Sequence, residues 1–154
     1  MQEVIISIRP KWCGLIAAGV KTMEIRRHKP TRKPPFKVYI YCTSVKSMNL
    51  SDYVEVHRQT GGKVDEWSGK VIGEFVCNHI VEFDVLKNGL VTNWLWHSLG
   101  DSALTYDEIT DYIRLGKTGY GWRITGLKIY DTPKPLSDYG AEKAPQSWQY
   151  IKEA

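Results

Sequence analysis

Residues 7–27 read Ser7-Ile8-Arg9-Pro10-Lys11-Trp12-Cys13-Gly14-Leu15-Ile16-Ala17-Ala18-Gly19-Val20-Lys21-Thr22-Met23-Glu24-Ile25-Arg26-Arg27. A short β-branched strand, Val4 to Ile8, leads into this stretch. Pro10 suits the first turn of a helix, where its missing N–H costs nothing. Trp12, Leu15 and Ile16 fall at i, i+3 and i+4 and give that helix one apolar face. Gly19 stands where a left-handed C-terminal cap belongs. The strand that follows is dense in charge, with Lys21, Glu24, Arg26 and Arg27 inside seven residues. Strands that enter a small core seldom carry so many ionisable groups. This one either lies at a wet edge or lines a polar pocket. Alternation predicts that Thr22, Glu24 and Arg26 share a face. Lys21 sits in the turn before them, so alternation does not fix its direction.

Working outward, His28 to Pro35 is Pro-rich and basic and reads as a loop. Lys37 to Thr43 reads as a strand whose two faces are both partly apolar, the pattern of a closed barrel. Ser44 to Ser68 is polar, with a short helix predicted over Ser51 to Gln59 and stopped by Gly61-Gly62. Gly69 to Cys77 is a second strand. Simple alternation puts Val71, Phe75 and Cys77 on one face and Ile72, Glu74 and Val76 on the other. Glu74 then has apolar neighbours and must be paired, hydrogen-bonded or shifted in pKa; a plain ion pair and a pocket carboxylate both satisfy that demand. Glu82 to Asp101, with Trp94, Trp96 and His97, reads as helical turns or a flap. Thr105-Tyr106-Asp107-Glu108 opens a helix with a capping box. Ile109, Tyr112 and Ile113 stripe that helix and Gly116 ends it. Trp122 to Tyr130 is a third strand with a bulge or bend expected at Gly126, and Pro145 to Tyr150 supplies a closing strand.

A chain of 154 residues is most simply one domain, 1–154, able to build a core without a metal or disulfide staple. Its three cysteines, Cys13, Cys42 and Cys77, are odd in number and widely spaced, which argues for reduced, buried thiols. The four histidines are dispersed, and neither a metal site nor a cofactor is expected. Phosphate-loop, dinucleotide and zinc-protease signatures are absent. No basic-then-apolar leader and no apolar run of about 20 residues is present, so a cytoplasmic protein away from membranes is expected; the sequence does not fix the oligomeric state, and a monomer is favoured. The net charge of +4 permits an anionic partner without requiring one. Six Trp and nine Tyr against three Phe favour aromatics with a polar edge, and these beside basic residues suit base stacking.

The pattern Gly19-x-Lys21-Thr22-x-Glu24-x-Arg26 after a short helix resembles the signature of the ASCH domain, a member of the PUA-like superfamily. Gly69 to Phe75 resembles the next family strand, and Tyr120-Gly121-Trp122 and Pro145-Gln146-Ser147-Trp148 resemble small bacterial and phage ASCH proteins. The resemblance implies an α+β fold, a small mixed PUA-like β-barrel with short helices at its openings. Segments 44–68 and 82–103 match the family least and are expected to be variable insertions. It also implies a cleft beside the first helix and a role in RNA or modified-base recognition. Some ASCH members are amidohydrolases that deacetylate N4-acetylcytidine, with a Lys matching Lys21 and a Glu matching Glu74. Their third catalytic residue is a Thr two positions before the Arg, where this chain has Glu24.

The residues themselves allow two chemistries. For binding, Arg9, Lys11 and Arg26 can hold phosphate, Thr22 can contribute its hydroxyl, and Glu24 or Glu74 can accept from an exocyclic amine. Tyr120 or Trp122 can stack a base, although Trp122, at the start of a strand, also fits the core. For hydrolysis of an acylated cytidine or an RNA phosphodiester, Lys21 would be the base; the Glu24 carboxylate could attack directly, but Glu24 and Glu74 holding a water that Lys21 deprotonates is the preferred route. The same cluster also fits a buried salt-bridge network that only shapes the pocket. The expected ligand is RNA, a nucleotide or a nucleoside.

Overall fold

The structure is a computed structural model and describes residues 2–92 and 100–151. Trp94, Trp96 and His97, expected in turns or a flap, lie outside the described residues. In chain order the elements are β1 (Glu3–Ile8), α1 (Pro10–Ala17), β2 (Met23–Arg26), β3 (Phe36–Cys42), α2 (Leu50–Gln59), α3 (Lys63–Trp67), β4 (Lys70–Cys77), β5 (Ile80–Val85), α4 (Tyr106–Ile113), β6 (Lys117–Arg123), β7 (Thr125–Lys134) and β8 (Trp148–Tyr150). Single 3₁₀ turns occupy Val45–Ser47 and Leu136–Tyr139.

The fold is α+β. Five strands in the order β7-β4-β3-β1-β8 form one sheet and β2-β6-β5 form a second. β1 and β3 run parallel, with α1 in the connection between them, and the other pairings are antiparallel. Among the described residues no ladder joins the two sheets, so the closed barrel expected from the sequence is not what these ladders draw. The chain itself links them. The single strand predicted from Trp122 to Tyr130 is two strands in different sheets, parted at Ile124 and turned by Gly126 at φ +58°.

The main core lies between the sheets and beneath α1. Val4, Ile6 and Ile8 of β1 and Phe36, Val38, Ile40 and Cys42 of β3 meet Cys13 and Ile16 of α1 and Trp122 of β6 there. Burying such side chains contributes roughly 1.5–3 kcal/mol each. A second cluster covers the other face of the three-stranded sheet. Met23 and Ile25 of β2 and Phe83 and Val85 of β5 pack against Ile109 and Ile113 of α4. The capping box opens α4 as predicted, with Thr105 Oγ1 accepting from Glu108 N–H and Glu108 Oε1 from Thr105 N–H. α1 stops at Gly19, whose φ of +77° lets the Val20 and Lys21 N–H groups both return to Leu15 O.

One irregularity changes the expected faces of β4. Ile40 pairs with Gly73 but Tyr41 pairs with Val71, which leaves Ile72 as an extra residue on the β4 side. The bulge shifts alternation by one. Ile72 joins Phe75 and Cys77 in the main core, while Val71 turns outward to Ile5 and Tyr130. Gly73 is required where it stands: a Cβ there would collide with the Lys128 carbonyl oxygen of β7.

Candidate functional site

β2 is the edge strand of the three-stranded sheet, and a cleft of about 550 Å³ opens along it between α1 and α4. Strand alternation sends Met23 and Ile25 into the second core and Glu24 and Arg26 to the other face. Glu24, Arg26, Lys21, Arg9 and Trp12 all line the cleft. Four of the predicted site residues are thus brought together, with Trp12 added from the helix.

Lys21 is 1% exposed, and its Nζ donates to the Ser102 carbonyl oxygen at 2.6 Å. The ammonium also lies 5.1 Å from the centre of the Trp12 ring. Burial lowers the Lys21 pKa, with the nearby Arg26 acting in the same direction and the Glu24 and Glu108 carboxylates opposing it. Arg26 ties the sheets together. Its Nη2 donates to Ser7 O of β1 at 2.6 Å and its Nη1 to Ser147 Oγ at 3.1 Å. Its Nε lies 3.6 Å from Glu24 Oε1 but makes no hydrogen bond, and Glu24 Oε2 is buried without a donor. Ser7 is held in turn, its Oγ donating to Pro145 O and its N–H to Ser147 O. With two of its three nitrogens satisfied by protein, Arg26 is chiefly a clamp and only secondarily a phosphate contact.

Other expected residues stand elsewhere. Glu74 is absent from the cleft lining and sits on the opposite face of the five-stranded sheet, because it pairs with Tyr39, on the outward side of β3. There its Oε1 accepts from Tyr130 OH at 3.1 Å and its Oε2 lies 3.2 Å from Lys37 Nζ. The trio Lys21, Glu24 and Glu74 therefore does not converge, and the ion-pair reading of Glu74 is the one realised. Trp122 is fully buried, edge-on to both Phe36 and Trp148, so it serves the core and offers no face to a base. Thr22 precedes β2 and is fixed through its backbone, its N–H to Asp101 O and its carbonyl to Ile124 N–H. Lys11 points to a neighbouring groove of about 690 Å³ between α1 and α2, where its Nζ stands 4.6 Å from the Trp12 ring centre. The groove and the cleft share Arg9, Trp12, Thr43 and Glu108. Tyr120 is half-buried beside the cleft without lining it.

The third wall comes from α4, which contributes Glu108, Asp111 and Tyr112. Sequence reasoning placed these on a helix but not at the site. The capping box fixed Glu108 at the third helical position, and only the packing of Ile109 and Ile113 on β2 aims its neighbours at the cleft. The wall is therefore mixed: Arg9, Lys21 and Arg26 against Glu24, Glu108 and Asp111. Such a site suits a ligand that carries both N–H donors and acceptors rather than a bare polyanion. No group of three or more potential metal ligands occurs among the described residues.

The fold is that of the ASCH domain. Over 98% of this chain and 88% of the other, it superposes on the crystal structure of ASCH from Zymomonas mobilis with a TM-score of 0.67 and 20% identity. Crystal structures of two mutant forms of that protein match equally well, covering 99% and 98% of this chain with TM-scores of 0.67 and 0.66 at 20% identity. No protein-family model and no curated protein matches the sequence. No helix among the described residues is long and apolar enough to cross a membrane.

Proposed function

We propose that the chain is an ASCH domain spanning 1–154 that binds RNA or a nucleoside-like ligand in the cleft along β2. The two sheets, sharing one core, are read as the halves of its PUA-like barrel. The observation that carries the function is the Glu24 carboxylate, which lines the cleft with one oxygen lacking any donor. A buried acceptor left unpaired costs about 1–3 kcal/mol, and a ligand N–H such as an exocyclic amine would recover it. Trp12 offers an aromatic surface at the same wall, and Arg9 a cation at its mouth. Titration calorimetry with cytidine and with a short single-stranded RNA tests the reading. Binding that weakens in Glu24→Gln is expected; equal affinity in that variant would overturn it.

Hydrolysis in the same cleft is the second reading, and the lowered pKa of Lys21 favours it. A lysine that sheds its proton more readily can act as a general base. Glu108, from the α4 wall, takes the place that Glu74 cannot occupy, so Glu24 and Glu108 would hold a water that Lys21 deprotonates. The water oxygen would attack the acyl carbon of an N4-acylated cytidine, or the phosphorus of an RNA linkage, and the proton would pass to the leaving group. Incubation with N4-acetylcytidine and with RNA, followed by chromatography, decides the matter. Turnover abolished by Lys21→Ala would establish the enzyme, and no turnover at high protein concentration would leave the binding role alone.

A further inference from the structure

Beyond Arg26 the surface continues toward a second, smaller hollow. Arg26 of β2 pairs with Tyr120 of β6, and Tyr120 pairs with Glu82 of β5. Directly paired residues point to one face, so these three form a row across the sheet. Adjacent strands lie about 4.8 Å apart, so the row spans about 10 Å. At its far end is a hollow of about 310 Å³ whose lining includes Lys29, Arg32, Lys33 and His79, with Glu82 as the acidic member. Lys29 Nζ stands 5.7 Å from the centre of the Tyr120 ring, which places a cation over the middle of the row.

The loop that carries these cations is anchored. Tyr150 OH accepts from Thr31 N–H at 3.0 Å and lies 3.1 Å from Thr31 Oγ1. Lys29, Arg32 and Lys33 are exposed, so none of them is spent on the core. Arg27, next in sequence, is committed elsewhere, with its Nε donating to Tyr112 O at 2.9 Å. The two ends of the path differ in chemistry. The cleft is mixed in charge, whereas the loop hollow is smaller and net positive.

We propose that the Lys29–Lys33 loop, with Tyr120, is a phosphate-backbone track for the strand that flanks the nucleotide held in the cleft. This rests on the cleft reading given above: one nucleotide enters the cleft, and the chain flanking it crosses Tyr120 to the loop. Roughly three stacked nucleotides at about 3.4 Å each span the row. The loop cations contact phosphate without reading sequence, and Tyr120 supplies an aromatic edge along the way.

The test uses the full chain, a fluorescein-labelled single-stranded RNA of about 12 nucleotides and cytidine as the free nucleoside. Wild type is compared with a loop variant, Lys29→Ala/Arg32→Ala/Lys33→Ala, and a cleft variant, Glu24→Gln, after thermal melts confirm folding. The loop variant should bind RNA at least about tenfold more weakly at low salt. The slope of log affinity on log salt should fall by about 2, since each single-strand phosphate contact contributes about 0.7. Cytidine affinity should stay unchanged in the loop variant and drop in the cleft variant. If the loop variant keeps wild-type RNA affinity and slope while Glu24→Gln loses binding, the track is refuted and the cleft reading stands. RNA binding lost with the loop but indifferent to Glu24→Gln would keep the track and remove the cleft. No RNA binding by wild type would remove both.

Discussion

Arg26 offers the sharpest test of how this site is built. Replacing it by Met keeps much of the aliphatic stem and removes the guanidinium. The Ser7 carbonyl and Ser147 hydroxyl lose their donor, and the Glu24 carboxylate loses its nearest cation at 3.6 Å. The Arg26 side chain is 10% exposed and that of Glu24 8%, so water cannot easily replace what is lost. Breaking a buried pair by removing one partner costs about 3–5 kcal/mol, which for a chain of this size lowers Tm by roughly 6–20 °C. Arg26→Lys should rescue little, because one ammonium cannot reproduce a fork that spans two acceptors. In a Glu24→Gln background the same Arg26→Met change should cost less, by about 0.5–3 kcal/mol, because no buried charge is then stranded. Urea unfolding followed by circular dichroism measures all five proteins, wild type included. A loss below about 1 kcal/mol for Arg26→Met, the range of an exposed pair, would refute the clamp.

Other expectations follow from the same geometry. Lys21 has a lowered pKa in the fold, so between that value and the ordinary 10.5 the unfolded chain holds more protons and stability rises with pH; below both values its unfavourable contribution is constant. The stability of wild type relative to Lys21→Met should therefore climb as pH rises through that window; a flat difference would show an unperturbed lysine. Tyr39 and Tyr130 are raised, chiefly by burial, and act in the opposite sense, but they are common to both proteins and drop out of the difference. Cys13, Cys42 and Cys77 are 0% exposed, and burial raises the Cys77 thiol to about 11. A thiol reagent at neutral pH should find none of the three in native protein and all of them in guanidinium; fast native labelling would show that the core opens. Gly73→Ala should destabilise by about 1–3 kcal/mol, because the obstacle is the Lys128 backbone rather than a movable side chain. Urea unfolding of that variant with an unchanged midpoint would contradict the packing of β4 on β7.

Local sequence determined the elements around the site. Pro10 and Gly19 bounded α1, the capping box opened α4, and β-branched runs marked β1, β3 and β4, because these signals act within a few residues. They also placed Glu24 and Arg26 on one face of β2, where alternation holds without interruption. Two elements escaped the reading. β5 runs into the Glu82–Asp101 stretch that reads as turns or a flap, and α3 lies unmarked in a polar stretch that owes its order to Val64 and Trp67 being buried. What only the tertiary structure decided is which charges meet. A single bulged residue, Ile72, joins Phe75 and Cys77 in the core and leaves Val71 on the outward face, where Glu74 meets Lys37 and Tyr130. The break at Ile124 sends Trp122 and Tyr130 to different sheets. Glu108 reaches the cleft only because Ile109 and Ile113 dock on β2. A sequence carries its periodicity in every short window, but the partner of a charge is chosen by packing between segments far apart in the chain, and no window contains it.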